Sequence, residues 1–362
     1  STLSEFVQSE GQLYCSAAEP LVVIGNVPLA AILGCAGLEL TQEERKLFEN
    51  ANPLGLILFE RNCTSPDQVL ALTRQYREVI GREDAPVFVD QEGGRVTRLK
   101  PPHWRIPPPA HRFVELAEAK GEGIAVKAIQ LNFRLIAEEL RAIGITVDCA
   151  PVLDIPVNHA DLIIGDRSLG RDVDLIEKLG TALCAGLLSG NVLPVIKHVP
   201  RHGRAMVDSH QTLPVVGATF EQLVATDFEP FRRLNGQPIA MTAHVIFKAI
   251  DENYPATVSS KIIANVIRGY INFDGLLISD DLSMQALSGD LRDRAKAALS
   301  AGCDVVLHCN GKIDEMTSVI SGAKTMSDQA YQRWLMAVDR LPTFEPLDRR
   351  ETLAKFNRLM SL

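Results

Sequence analysis

The sequence has no paired-cysteine motif. Its seven cysteines, at 15, 35, 63, 149, 184, 303 and 309, are odd in number and scattered, and none form CxxC. This argues against a disulfide framework or a zinc ribbon, and for reduced thiols in a reducing compartment. No run of Lys and Arg stands out, and the formal net charge is −8. Nucleic acid and anionic membrane surfaces are therefore not expected partners. No apolar stretch is long enough to span a bilayer. Residues 20–37, PLVVIGNVPLAAILGCAG, come nearest, but Gly25, Asn26 and Pro28 interrupt them. The ILGC within that stretch matches a lipoprotein cleavage box. However, Glu5, Glu10 and Glu19 precede it, where a signal peptide carries basic residues. LAAILGC reads instead as a buried first strand. No GxGxxG follows it, which argues against a dinucleotide-binding fold, and no HExxH occurs.

What is present is a long alternation. Eight short apolar runs read as strands: Leu29–Cys35, Leu54–Phe59, Pro86–Asp90, Ile145–Ala150, Leu193–Lys197, Pro238–Ala243, Gly275–Asp280 and Asp304–His308. Amphipathic segments lie between most of them, at 66–81, 123–144, 174–191, 220–236, 259–271 and 291–302, and several end in Gly as helix C-caps do. Strands that are apolar throughout belong to a parallel sheet covered by helices. Eight repeats in 362 residues, 46% of them hydrophobic, predict a single α/β domain, a (β/α)₈ TIM barrel, over residues 21–362. Residues 1–20 read as a flexible N-terminal extension. DRRETLAKFNRLMSL at the C-terminus reads as a short helix packed on the outside.

In such a barrel the chemistry sits where the strands finish. The third strand ends in Asp90, with Arg95 and Arg98 in the loop after it. Asp154 and Arg167 follow the fourth strand. The fifth ends in Lys197 and His198, the sixth near His244, the seventh in Asp280 and Asp281, and the eighth at His308. A single one of these is readily a satisfied buried group, but their coincidence at one face of a barrel points to a site. Asp280 at the barrel mouth suits a metal ligand, a base or a nucleophile, whereas Asp281 suits a helix N-cap. Asp90 can accept from ligand hydroxyls and Arg98 can donate to them; a plain Asp–Arg pair is the alternative.

The segment IKHVPRHGRAMVDSH, residues 196–210, is the densest in histidine. His198 and His202 have metal-ligand spacing, but Pro200 between them opposes the helix that would align them. Gly203 alone makes no phosphate cradle. Asp208 and His210 point the same way in an extended loop, so the carboxylate can hold the imidazole and tune it for proton transfer near neutral pH. His202 is left without a role.

Four stretches together resemble a known family. KHVPRHGRAMVDSH resembles the KH-(F/I)-PGHG-…-DSH loop of bacterial β-N-acetylhexosaminidases of glycoside hydrolase family 3. LLISDDLSMQAL is similar to that family's nucleophile strand, VDQEGGRVTRL to its sugar-binding loop and IGDRSLG to its Arg-bearing loop. The likeness runs from about residue 30 to 330 with the motifs in the family's order. It implies a retaining hydrolase that releases β-linked N-acetylglucosamine without metal or organic cofactor. Carried over residue by residue, Asp280 is the nucleophile and His210, oriented by Asp208, is the general acid and then the base. Asp90, Arg98, Arg167, Lys197 and His198 hold the sugar hydroxyls. The family's cytoplasmic members act on N-acetylglucosamine–anhydro-muropeptides in cell-wall recycling. The resemblance thus implies a cytoplasmic enzyme, monomeric or weakly dimeric, with a small carbohydrate or muropeptide as partner. Two rival readings are a metal-dependent barrel hydrolase using His198, His202, His210 and Asp280, and a silent sugar-binding barrel. The chain departs from the pattern at Arg201, where Gly is usual, and at Arg204, where Asp is usual. Two added positive charges there are expected to alter the loop's path and to favour an anionic aglycone.

Overall fold

The computed structural model describes residues 27–156, 164–202 and 213–361; the expected extension at 1–20 lies outside them. Eight strands close a parallel barrel: β1 (Leu29–Leu33), β2 (Pro53–Leu58), β3 (Val87–Val89), β4 (Val147–Asp148), β5 (Leu193–Val199), β7 (Ile239–Thr242), β9 (Leu276–Asp281) and β10 (Val305–His308). The remaining two strands, β6 (Val215–Val216) and β8 (Ile246–Phe247), pair with each other beside it. All eight apolar runs read from the sequence are barrel strands. The barrel closes where β1 pairs with β10, Ala31 opposite Val306 and Leu33 opposite His308.

Alternation along each strand divides the core in two. Ile32, Leu54, Phe88, Val147, Val195, Ile239, Ile278 and Val305 fill the barrel interior. Their neighbours Ala31, Leu33, Leu56, Val87, Val89, Ile196, Ala240, Leu277 and Val306 pack outward against the helices. Both faces are buried, so the strands read as unbroken apolar runs rather than as alternating ones.

The helices follow their sequence signals where capping is clear. In α2 (Pro66–Ile80), Ser65 caps the start, Pro66 opens the first turn and Gly81 ends it in a left-handed conformation. The other barrel helices include α1 (Gln42–Ala51), α3 (His111–Lys120), α4 (Glu122–Ala142) and α5 (Val173–Ser189). The expected helix at 220–236 is broken into α6 (Phe220–Gln222), a π-helical segment Leu223–Asp227 and α7 (Glu229–Arg233). Pro230 explains the break, since it has no amide to donate and its ring crowds the carbonyl four residues back. The helix expected at 259–271 is π-helical over Ile262–Tyr270. The next helices, α8 (Leu291–Ala301) and α9 (Ile313–Gly322), cover the last strands. Then α10 (Asp328–Val338) plugs the N-terminal end of the barrel with Ala330, Trp334 and Ala337. The last helix, α11 (Arg349–Met360), lies outside as expected, with Phe356 buried against Phe113. No helix among the described residues is long and apolar enough to cross a membrane.

Candidate active site

The polar strand ends converge on a cavity of about 230 Å³ at the C-terminal mouth of the barrel. Asp90, Glu92, Arg98, Arg167, Lys197, His198, His202, Asp280 and Asp281 line its polar side. Ile57, Phe59, Val96, Met241, Met284 and Leu307 line its apolar side. A mixed lining of this kind suits a sugar ring, with its equatorial hydroxyls and apolar faces.

The loop after β3 supplies one wall by folding back sharply. Gly93 and Gly94 have φ of 101° and 56°, a region that L side chains rarely adopt. A Cβ at Gly93 would sit 2.3 Å from the Pro108 carbonyl oxygen. The Gln91 side chain then accepts from the backbone N–H of Arg98 at 2.9 Å and of Leu99 at 3.2 Å. This returns Arg98 to Asp90, where Nη2 and Oδ2 are 3.2 Å apart.

Lys197 is the hub of the charged wall. Its Nζ lies 2.8 Å from Asp90 Oδ1 and 2.7 Å from Glu92 Oε1. Arg167 grips Glu92 through two parallel bonds of 2.8 Å each. Burial alone would push the Lys197 ammonium towards neutrality, but Asp90 and Glu92 outweigh it and hold Lys197 charged well above the usual lysine range. Burial likewise disfavours the two carboxylates, and the cations outweigh it. Arg167 and Lys197 hold Glu92 ionised, and Lys197 and Arg98 hold Asp90 below its ordinary range.

Beneath this network Asp148, on β4, is fully buried. Its Oδ1 accepts from the Gln91 backbone N–H at 2.9 Å, while Oδ2 has no hydrogen-bond partner. Burial pushes its carboxyl up to about 8. An unfolded aspartate ionises near pH 4. The folded state therefore binds the extra proton between about pH 4 and 8, and stability is lost as pH rises through that window. Asp148→Asn removes the titration and keeps the Gln91 bond. Its stability advantage over the parent, followed by denaturant unfolding, should grow from pH 5 to 8 by at most about 1.4 kcal/mol per pH unit. A constant difference across that range would refute the buried, protonated carboxyl.

Asp154, after β4, organises the exit of β5. Its Oδ2 lies 2.7 Å from His198 Nδ1, and its Oδ1 takes the backbone N–H of His202 at 2.6 Å. The carboxylate accepts, so Nδ1 of His198 carries the proton and Nε2 is left for the cavity. The rings of His198 and His202 are 5.7 Å apart. Burial, with the neighbouring His198 imidazole, pushes His202 down to about 4. His202 thus contributes a neutral ring to the cavity wall, a place the sequence reading did not give it.

The two adjacent carboxylates at the end of β9 have different environments. Asp281 is committed to the backbone: its Oδ1 accepts from Ser283 N–H and Cys309 N–H at 3.1 Å each, and its Oδ2 from the Ser283 hydroxyl at 2.5 Å. Asp280 accepts the Asp281 N–H at 2.8 Å. Burial would raise the Asp280 carboxyl, but His244, His198 and the Asp281 N–H outweigh it and hold it below its ordinary range. His244 stands against this pair. Its Nε2 is 2.9 Å from the Asp281 carbonyl, which can only accept, so Nε2 carries the proton. Its Nδ1 faces the Thr257 hydroxyl at 2.7 Å.

The structure therefore brings together Asp90, Arg98, Arg167, Lys197, His198 and Asp280 of the residues singled out in the sequence. Asp208, His210 and Arg204 lie outside the described residues. Glu92 was missed, although it sits two residues after Asp90 in the same motif, the spacing that puts side chains on one face of an extended chain. The expectation that Arg201 adds positive charge for an anionic aglycone is corrected. Arg201 is buried and paired with Asp227, so its charge is spent inside the protein.

The Glycosyl hydrolase family 3 N terminal domain matches residues 20–340. A beta-hexosaminidase from Methylobacillus flagellatus is 39% identical over 291 residues, 79% of this chain and 82% of that one. NagZ from Neisseria gonorrhoeae, in complex with N-trifluoroacetyl-D-glucosamine, superposes with a TM-score of 0.82 at 30% identity, over 92% of this chain and 98% of that one. A glycoside hydrolase family 3 beta-N-acetylglucosaminidase from Paenibacillus sp. str. FPU-7 superposes with a TM-score of 0.79 at 30% identity, over 91% of this chain and 66% of that longer one. With the barrel and its charged mouth, these likenesses show that the chain belongs to glycosyl hydrolase family 3, as a glycoside hydrolase of the β-N-acetylhexosaminidase kind.

Proposed function

We propose that the protein is a retaining, exo-acting β-N-acetylglucosaminidase that releases terminal β-linked N-acetylglucosamine. Its substrates are N-acetylglucosamine–anhydro-muropeptides of peptidoglycan recycling. The observation that carries the reading is Asp280, a cavity-lining carboxylate held ionised beside a wall of cations and carboxylates suited to sugar hydroxyls. The N-acyl glucosamine bound by the Neisseria relative supports the choice of sugar. The six described cysteines are free thiols, in keeping with a cytoplasmic enzyme.

In the proposed reaction Asp280 attacks the anomeric carbon, and the bond from that carbon to the aglycone oxygen breaks. His210, oriented by Asp208, gives its proton to the departing oxygen. The neutral imidazole then takes a proton from water, which attacks the glycosyl-enzyme and frees Asp280. Two inversions give net retention. A histidine serves in place of the usual second carboxyl group because its pKa needs little adjustment to give and take a proton near neutrality. Asp90, Arg98, Arg167, Lys197 and His198 hold the hydroxyls while this happens.

A fluorinated N-acetylglucosaminyl inhibitor that forms a slowly hydrolysed ester tests the assignment. Peptide mapping should find the label on Asp280. Label on Asp281, or no label on an enzyme that the inhibitor nevertheless inactivates, would overturn it.

A further inference from the structure

Asp280 stands where β9 leaves the ladders on both sides. The pairing with β7 ends with Met241 opposite Ile278, and the register with β10 shifts between Val305 and Leu307. Side-chain hydroxyls take over there. On the β10 side, Leu307 N–H donates to Ser279 Oγ at 2.9 Å, and that hydroxyl donates to the Asp280 carbonyl at 2.8 Å. On the β7 side, Asp280 N–H donates to Thr242 Oγ1 at 3.4 Å. Irregularities of this kind re-aim a side chain at the end of a strand.

The bonds continue from Thr242 in one direction. Its Oγ1 is 2.8 Å from Oγ1 of Thr257, in the short 3₁₀ turn Ala256–Val258. Thr257 Oγ1 is in turn 2.7 Å from His244 Nδ1, and His244 Nε2 is 2.9 Å from the Asp281 carbonyl. Burial outweighs the pull of Asp280 and keeps the His244 ring below its ordinary range, so the ring is neutral near pH 7. With its one proton on Nε2, Nδ1 accepts, and the Thr257 hydroxyl donates to it. The Ala243 carbonyl is the more distant acceptor, at 3.1 Å. Thr257 then accepts from Thr242, and Thr242 from Asp280 N–H. The chain of donors thus leaves the backbone at Asp280 and returns to it at Asp281. All three side chains are fully buried and none lines the cavity. A buried network in which every member is satisfied is rigid.

We propose that Thr242, Thr257 and His244 are positioning residues for the nucleophile. They close a ring of hydrogen bonds on the backbone of Asp280 and Asp281, and this ring fixes the direction in which the Asp280 carboxylate meets the anomeric carbon. The proposal rests on the reading of Asp280 as the nucleophile.

The test reads the attack alone, with the fluorinated N-acetylglucosaminyl inhibitor. An Asp280 oxygen bonds to the anomeric carbon while the inhibitor's leaving group departs with its electron pair. Thr257→Val keeps the shape of the side chain and removes the hydroxyl, whereas Thr257→Ser keeps the hydroxyl and removes the methyl. The inactivation rate constant of Thr257→Val should fall about tenfold or more, since a small misplacement of a reacting group is costly. That of Thr257→Ser should stay within about threefold of the parent. The inhibitor concentration giving half the maximal rate should stay within about twofold in both, because the groups lining the cavity are unchanged. A parental rate in Thr257→Val, a loss in Thr257→Ser as large as that in Thr257→Val, or a loss carried by inhibitor binding would overturn the proposal. If Thr257→Val does not fold, Thr242→Val and Thr242→Ser carry the same comparison at the other end of the chain. Asp280→Ala separates the two ideas. If it is still labelled at the parental rate, the nucleophile assignment fails and the proposal with it. If it is not labelled and the threonine variants react at the parental rate, only the positioning role fails.

Discussion

Asp280→Ala should lower kcat/KM on an aryl β-N-acetylglucosaminide by on the order of 10⁴-fold or more, the scale seen when a covalent nucleophile is removed. The neighbouring carboxylate cannot take over. Asp281 spends its oxygens on Ser283 and on the Cys309 N–H, and turning it towards the substrate would strand those donors. Asp281→Asn should therefore cost far less, about tenfold, because an amide oxygen can still accept the two N–H groups. Circular dichroism and thermal unfolding of both variants check that the barrel is intact. Comparable losses from the two substitutions would mean that the end of β9 works as a unit, with no single nucleophile.

The second large effect is expected at Glu92. Replacing it with Gln leaves Arg167 and Lys197 facing a neutral amide in a buried site. Removing one partner of a buried ion pair typically costs about 3–5 kcal/mol, and denaturant unfolding at neutral pH should show a loss of that size. Activity should fall about 10²-fold, because Lys197 and Arg167 lose the group that fixes them against each other. The pH dependence has a definite sign. The Glu92 carboxyl is held far below its ordinary range, while an unfolded glutamate titrates near pH 4.3. Its stabilising contribution is complete above that value and is lost as pH falls towards the folded-state value. The parent should therefore lose stability below about pH 4 more steeply than Glu92→Gln does. Parallel stability curves in acid would show that Glu92 is not the ionised centre of this network.

The barrel was legible because each strand is buried on both faces, and a parallel barrel leaves continuous apolar runs as its record. The charged wall of the cavity was legible in part for a related reason. Asp90, Lys197, His198 and Asp280 end such runs abruptly with charge, and a strand end has one address in this fold. Glu92 escaped because it lies past the strand, in a turn whose path depends on Gly93, Gly94 and the Gln91 side chain together. Asp154 escaped as an organiser because its partners, His198 and His202, are more than forty residues away. Arg201 was misread for the same reason: next to Arg204 it looks like surface charge, and its counter-ion is visible only once the chain has folded back. The interruption at Pro230, by contrast, is written in the sequence, inside a segment of otherwise good helical period.

The seam between β1 and β10 bears on how the chain is made. Residues 29–33 find their second neighbour only in residues 305–308. At about 5–20 residues per second, a ribosome takes roughly 15–55 s to travel between them. Through that interval β1 carries an unpaired edge of the kind that recruits foreign strands. The first barrel strand thus waits longest for its second partner. A circular permutant that starts at β9 would deliver the two sides of this seam almost together and move the late-closing seam to the pairing of β9 with β7.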